Sequence, residues 1–174
     1  MIAIIAEKPS VGQEIARVVG ATEKKDGYIT GNGYMVTWAL GHLVSLALPG
    51  TYGYTRTTAE DLPMLPEPFR LVERQIRTDR GMVTDIAAGR QLKVIDGVFS
   101  ECDSIIVATD AGREGELIFR WIYSHLGCTK LFKRLWFSSL TDEAIRKGMA
   151  DLREGYEYDS LYACLLYTSP SPRD

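Results

Sequence analysis

Glu7 follows directly on the apolar run Ile2-Ala3-Ile4-Ile5-Ala6, and Asp110, Glu114 and Glu116 follow on a second such run, Ser104-Ile105-Ile106-Val107-Ala108. If both runs are strands of one parallel sheet, neighbouring strands lie about 4.8 Å apart, and acids at their ends can converge within a few ångströms. Crowded carboxylates repel one another unless a cation or shared protons relieve them. A hard cation such as Mg²⁺ is commonly held by one or two carboxylates together with water and substrate phosphate. Lys8 and Arg113 place positive charge beside the acids, while Gly112 and Gly115 let backbone come close to a ligand. The helix expected after Gly112 would offer free N–H groups to a phosphate. Acid, base and helix N-terminus together suit Mg²⁺-assisted phosphodiester chemistry. The same residues also fit a plainer role, with Glu7, Glu114 and Glu116 complementing helix dipoles and Arg113 in a surface ion pair. Their occurrence at two equivalent strand ends favours the chemical reading.

The elements that would position these groups can be read from hydrophobic spacing. Met1 to Ala6 reads as a central strand buried on both faces. Ser10 is placed to cap a helix of about ten residues with Val11, Ile15, Val18 and Val19 on one side. Tyr28 to Thr30 and Tyr34 to Leu40 flank Gly31-Asn32-Gly33 and predict a hairpin. Ser45 to Pro68, with Pro49, Pro63, Pro66 and Pro68, reads as a long irregular connection. Phe69 to Ile76 and Lys133 to Phe137 are expected strands, and Ala88 to Val98 is a helix with Leu92 and Ile95 inward. The helix after Gly112 runs to about Leu126 on Leu117, Ile118, Trp121, Ile122 and Leu126, and Thr141 opens another to about Leu152. The alternation predicts an α/β fold: an open, mostly parallel sheet with helices on both faces and an inserted hairpin.

Composition narrows the class. At about 150 residues per domain, 174 residues make one domain and a remainder. With 45% hydrophobic and 25% charged residues the chain can bury a core, and no apolar stretch approaches the ~18 residues that a membrane span requires. The start at Met1 lacks the basic flank and cleavage site of a signal peptide, so the expected location is the cytoplasm. Cys102, Cys128 and Cys164, widely spaced and without a CxxC pair, read as reduced thiols. Twenty basic against 23 acidic side chains give a net charge of −3, so a polyanion would have to be held by local patches. Two such stretches are Phe69 to Lys93, with six basic and three acidic residues, and Asp110 to Arg134, with five and three. Trp38, Trp136 and Phe137 could stack bases, but their places in or beside strands favour packing.

Four motifs carry a family resemblance: IIAEKPSVGQEIA at the N-terminus, WALGHLVSL after the hairpin, ATDAGREGELIFRWI after the second buried strand, and LWFSSLTDEAI near residue 140. In sequence and order they resemble the Toprim domain of type IA DNA topoisomerases, specifically the topoisomerase III branch, over roughly residues 1 to 163. The resemblance implies a Rossmann-like Toprim fold in a bacterial, nucleoid-associated isomerase that breaks, passes and rejoins single DNA strands through a phosphotyrosine intermediate. By position, Glu7 resembles the Toprim glutamate that handles the proton at the leaving 3′ oxygen. Glu7, Asp110 and Glu114 resemble the acids that hold Mg²⁺, and Lys8 and Arg113 those that neutralise phosphate. His42, in the GHL segment, is a lesser candidate for the DNA-binding rim. Single-stranded DNA, the missing C-terminal domains and a helicase are the partners implied, with no membrane.

Two departures qualify the resemblance. The family pattern is commonly Asp-x-Asp-x-Glu, whereas Asp110-Ala111-Gly112-Arg113-Glu114 has glycine in the middle acidic slot, leaving Glu116 as a compensating candidate. The nucleophile tyrosine of the family lies beyond the Toprim region, so none is expected in this chain. Tyr54-Thr55-Arg56-Thr57 resembles such a segment only superficially and stands in the wrong order. We therefore expect a Toprim domain over 1–150, the start of a helical domain over 151–163, and a non-native tail over 164–174 that cuts off a helix begun at Asp159. The alternatives are another Toprim enzyme, a primase or nuclease, and a non-enzymatic receiver-like module that gathers acids around Mg²⁺.

Overall fold

A computed structural model of the chain describes residues 1–54, 58, 64, 66, 68–79, 81–110 and 112–168, with side chains as far as Ala163. Its frame is a seven-stranded sheet. Four parallel strands form the middle: β1 (Ile2–Ala6), β4 (Tyr34–Trp38), β9 (Ser104–Ala108) and β10 (Phe132–Arg134). On one edge β3 (Tyr28–Gly31) adds antiparallel to β4 and β2 (Glu23–Lys25) antiparallel to β3, and on the other β11 (Arg153–Glu154) adds antiparallel to β10. The order is β11-β10-β9-β1-β4-β3-β2.

The apolar runs of β1 and β9 are continuous because both faces are covered. On one face Ala3, Ile5, Ile105 and Val107 pack against α2 (Ile86–Glu101) and α3 (Arg113–His125). On the other, Ile4, Ala6, Ile106 and Ala108 pack against α1 (Pro9–Val19) and α4 (Asp142–Ala150). The expected doubly wound α/β architecture is therefore present. It also contains a switch point: α1 leaves β1 toward one face, α3 leaves β9 toward the opposite face, and β1 and β9 are neighbours paired from Ile2↔Ser104 to Ala6↔Ala108. Connections that diverge in this way open a crevice at the carboxyl ends of the two strands.

The hairpin turns on Asn32 and Gly33, whose φ values of 48° and 83° are both positive, as a two-residue type I′ turn requires. Elsewhere local competition shifted the boundaries. Pro9 occupies the first turn of α1, so Lys8, and not Ser10, is the N-cap residue. Asp85 accepts from the backbone N–H of Ala87 and Ala88 and starts α2 at Ile86, two residues before the expected Ala88. The stretch expected as one strand from Phe69 to Ile76 is two, β6 (Leu71–Glu73) and β7 (Gln75–Thr78), divided at Arg74. The guanidinium of Arg74 binds Asp85 and the carbonyls of Leu40 and His42. β7 pairs with β8 (Gly81–Thr84) in a separate hairpin, and β6 pairs with β5 (Val44–Leu46), which lies at the start of the stretch expected to be irregular. Much of that stretch, from residue 55 onward, lies outside the described residues, as do three residues of the Tyr54–Thr57 segment.

The strand expected over Lys133 to Phe137 stops at Arg134, and α4, capped by the Thr141 hydroxyl, ends at Ala150 rather than Leu152. The last helix, α5 (Asp159–Thr168), does not break at Ala163 as expected but continues for five residues. Cys102 is a free, buried thiol whose pKa is pushed up by burial, and Cys128 is free and half-buried. Among the described residues no helix is long and apolar enough to cross a membrane.

Candidate metal and phosphate site

Glu7 and Asp110 meet at the crevice between β1 and β9. Glu7 is the first residue past β1 and is nearly buried, and its Oε2 accepts from the backbone N–H of Asp110 at 3.4 Å. Lys8 Nζ stands 3.7 Å from Glu7 Oε1 and is mostly exposed, so it is free to face a ligand. The start of α1 is held against the sheet by Gly12, where an added Cβ would stand 2.8 Å from the Trp38 ring.

On the other side of the crevice, Asp110 opens the turn into α3. Its carbonyl accepts from Gly112 N at 2.8 Å, and Thr109 donates its hydroxyl hydrogen to the Gly115 carbonyl at 2.7 Å. Gly115 is required here, since a Cβ would fall 2.1 Å from the Asp110 carbonyl oxygen. Gly112 is not sterically required: its φ is −147° and a Cβ would meet open space. Arg113 and Glu114 lie exposed on the first turn of α3, where helix N–H groups are free. Glu114 Oε1 sits 3.4 Å from His42 Nε2, and the His42 ring packs tilted against Trp121.

The structure thus brings Glu7, Lys8 and Asp110 together and sets Arg113, Glu114 and His42 along the rim. It does not assemble the expected triad of Glu7, Asp110 and Glu114: among the described residues no three His, Cys, Asp or Glu groups converge as metal ligands. Glu116 is excluded as a compensating ligand. Its side chain is fully buried on the far side of the turn, between Arg120 Nε at 2.7 Å and Arg134 Nη2 at 3.1 Å.

The Toprim domain description matches residues 2–140, most of the chain. The chain belongs to the Toprim family. It is 45% identical over 163 residues to DNA topoisomerase 3 of Bacillus subtilis, covering 91% of this chain and 21% of that protein. It is 48% identical over 165 residues to DNA topoisomerase 3 of Bacillus anthracis, covering 92% and 21%. The chain spans about a fifth of the length of these relatives. Full-length topoisomerase I from Thermotoga maritima shares the fold, with a TM-score of 0.51 at 21% identity over 87% of this chain and 21% of that one.

Within this Toprim domain, sequence reasoning missed Arg134. Its guanidinium is 1% exposed, donates to Thr109 Oγ1 at 2.7 Å and to the Asp110 carbonyl at 3.1 Å, and lies 5.6 Å from the Tyr158 ring. The local signal was an arginine at the end of a short strand, directly before apolar Leu135, matched by the Glu116–Arg120 spacing on a helix. Most of the counted basic excess is likewise spent internally. Arg120 pairs with Glu116 and Asp159, Lys130 binds the carbonyls that end α2, and Lys133 pairs with Glu154. Arg74 is bound to Asp85 and Arg90 to Asp26. Trp136 is part-exposed, but it stacks on Tyr158 and carries the Arg153 guanidinium 5.0 Å from its ring centroid, a packed arrangement.

Proposed function

We propose that this chain is the Mg²⁺- and phosphate-handling part of a DNA topoisomerase 3, an isomerase that breaks, passes and rejoins single DNA strands in the bacterial cytoplasm. The observation that carries the reading is the placement of Glu7 and Asp110 at the switch point of adjacent parallel strands, with Lys8 and Arg113 beside them. The names of the relatives favour topoisomerase over primase, nuclease or receiver module. The tyrosine that attacks the phosphodiester would belong to a part of the enzyme outside this chain, and nucleoid association and a helicase partner are expected for the whole.

The donor set fits a hard divalent cation held with few protein ligands, because Glu7 and Asp110 supply one carboxylate each at the ends of adjacent strands and leave the other positions to water and phosphate oxygen. Asp110 and the ionised form of Glu7 would hold Mg²⁺, while Glu114, at the surface against His42, would reach the ion only by leaving that contact. The ion supplies positive charge against developing negative charge on phosphate oxygens. In its protonated form, released from the ion, Glu7 would donate a proton to the 3′ oxygen as the P–O3′ bond breaks and the tyrosine oxygen, its own proton passed to water, bonds to phosphorus; the reverse transfers accompany resealing. Lys8 and Arg113 neutralise the scissile or adjacent phosphate, and His42 lines the strand's path. Binding of single-stranded DNA should weaken as salt rises.

The test joins this chain to the remaining four-fifths of the Bacillus subtilis relative and follows relaxation of negatively supercoiled DNA. Mg²⁺-dependent relaxation that falls by about 100-fold or more on Glu7→Ala is expected. Undiminished relaxation by that variant would refute the role of Glu7.

A further inference from the structure

The peptide unit at Asp110 is held from two sides. Its N–H points to Glu7 Oε2 at 3.4 Å, and its carbonyl accepts from Arg134 Nη2 at 3.1 Å. The other arm of Arg134 donates to Thr109 Oγ1 at 2.7 Å, and Thr109 passes its own hydrogen to the Gly115 carbonyl at 2.7 Å. Nη2 also lies 3.1 Å from Glu116 Oε2. One guanidinium therefore ties together the end of β9, the Asp110 turn and the first turn of α3.

This is an expensive way to build a core. Arg134 is fully buried, its Nε has no hydrogen-bond partner among the described residues, and burial pulls its pKa down. An apolar side chain at the end of β10 would avoid that desolvation. At 1% exposure the guanidinium also cannot touch a nucleic acid. Its contacts converge on the backbone that aims Asp110.

We propose that Arg134 is a positioning residue, which fixes the Asp110 turn so that the Asp110 and Glu7 carboxylates face one ligand. The proposal rests on the metal and phosphate reading above, and outer contacts of this kind commonly govern how well metal-binding carboxylates are oriented. Arg120 is the natural control, because it pairs with the same Glu116 but, among the described residues, makes no bond to the Asp110 turn.

Backbone hydrogen exchange by NMR on this chain decides it. In Arg134→Met the Gly112 N–H, which is bonded to the Asp110 carbonyl, should exchange at least about tenfold faster than in the parent, with Arg120→Met within about twofold and Arg134→Lys between them. Equal acceleration in Arg134→Met and Arg120→Met would overturn the proposal. If Arg134→Met does not fold, Arg134→Met/Glu116→Gln read against Glu116→Gln removes the stranded charge and yields the same comparison. Calorimetric titration with Mg²⁺ alone should show roughly tenfold weaker binding for Arg134→Met. A parent chain that takes up no Mg²⁺ would overturn the metal reading, while the exchange comparison still decides the role of Arg134.

Discussion

The carbonyl oxygen of Asp110 occupies the place where a side chain on Gly115 would begin: an added Cβ would stand 2.1 Å from that oxygen and 2.8 Å from the Asp110 nitrogen. Both obstacles are backbone, so neither can rotate away. Gly115→Ala should therefore displace the turn between β9 and α3, lowering stability by about 3 kcal/mol in urea unfolding. Mg²⁺ binding should fall with it. A variant as stable as the parent would show that the turn can open at no cost.

Gly112 gives the opposite expectation. Its backbone is extended, its Cβ direction is open, and it is the N-cap residue of α3. Gly112→Asp should fold normally and gain a few tenths of a kcal/mol from capping. The added carboxylate beside Asp110 should tighten Mg²⁺ binding several-fold in calorimetry. An unchanged affinity would mean that the middle acidic slot makes no contribution in this chain.

Glu116 is a buried partner of two arginines, and its removal leaves Arg134 without its counter-charge. Glu116→Ala should cost about 3–5 kcal/mol, measured by urea unfolding. Arg134→Met in the same background should recover much of that loss, because a pair replaced by apolar groups no longer carries an unpaired charge. Additive losses in the double variant would contradict the pairing.

Acid should act through Asp85. The Arg74 guanidinium, donating to it, holds its carboxyl below the ordinary 3.8, aided by the N–H groups of Ala87 and Ala88 and opposed by burial. Because the folded-state pKa is depressed, this stabilisation is present above the unfolded value and is lost as pH falls through the folded one. Arg74→Met should flatten the decline of the thermal midpoint between about pH 5 and pH 2. It should also loosen the Leu40–His42 segment, whose carbonyls Arg74 binds. Parallel pH profiles for the two proteins would rule out this source.

Lys130 closes the C-terminal end of α2, its ammonium donating to the carbonyls of Phe99, Ser100 and Cys102. A cation there satisfies groups that have no partner within the helix and complements its dipole. Lys130→Met should cost about 1–2 kcal/mol, read from thermal or urea unfolding. Lys133→Met removes only an exposed pair with Glu154 and should change stability by less than about 1 kcal/mol.

Sequence alone determined the elements whose signals are local. Two apolar runs buried on both faces, an Asn-Gly hairpin and the helical spacing of Leu117, Ile118, Trp121 and Ile122 were enough for a doubly wound sheet and for acids at strand ends. Tertiary structure decided which of those acids meet. The sequence offers Glu114 as the metal acid beside Asp110 and Glu116 as a compensating candidate, and helix geometry turns Glu116 inward to Arg120 and Arg134 and leaves Glu114 at the surface against His42. It also decided which basic residues remain available: Arg74, Arg120, Lys130 and Arg134 are consumed by partners distant in the chain, and Lys8 and Arg113 stay exposed at the crevice. Whether a charge is solvated, paired or aimed at a ligand depends on what the sheet order places across from it, and a count of charges along the chain does not contain that information.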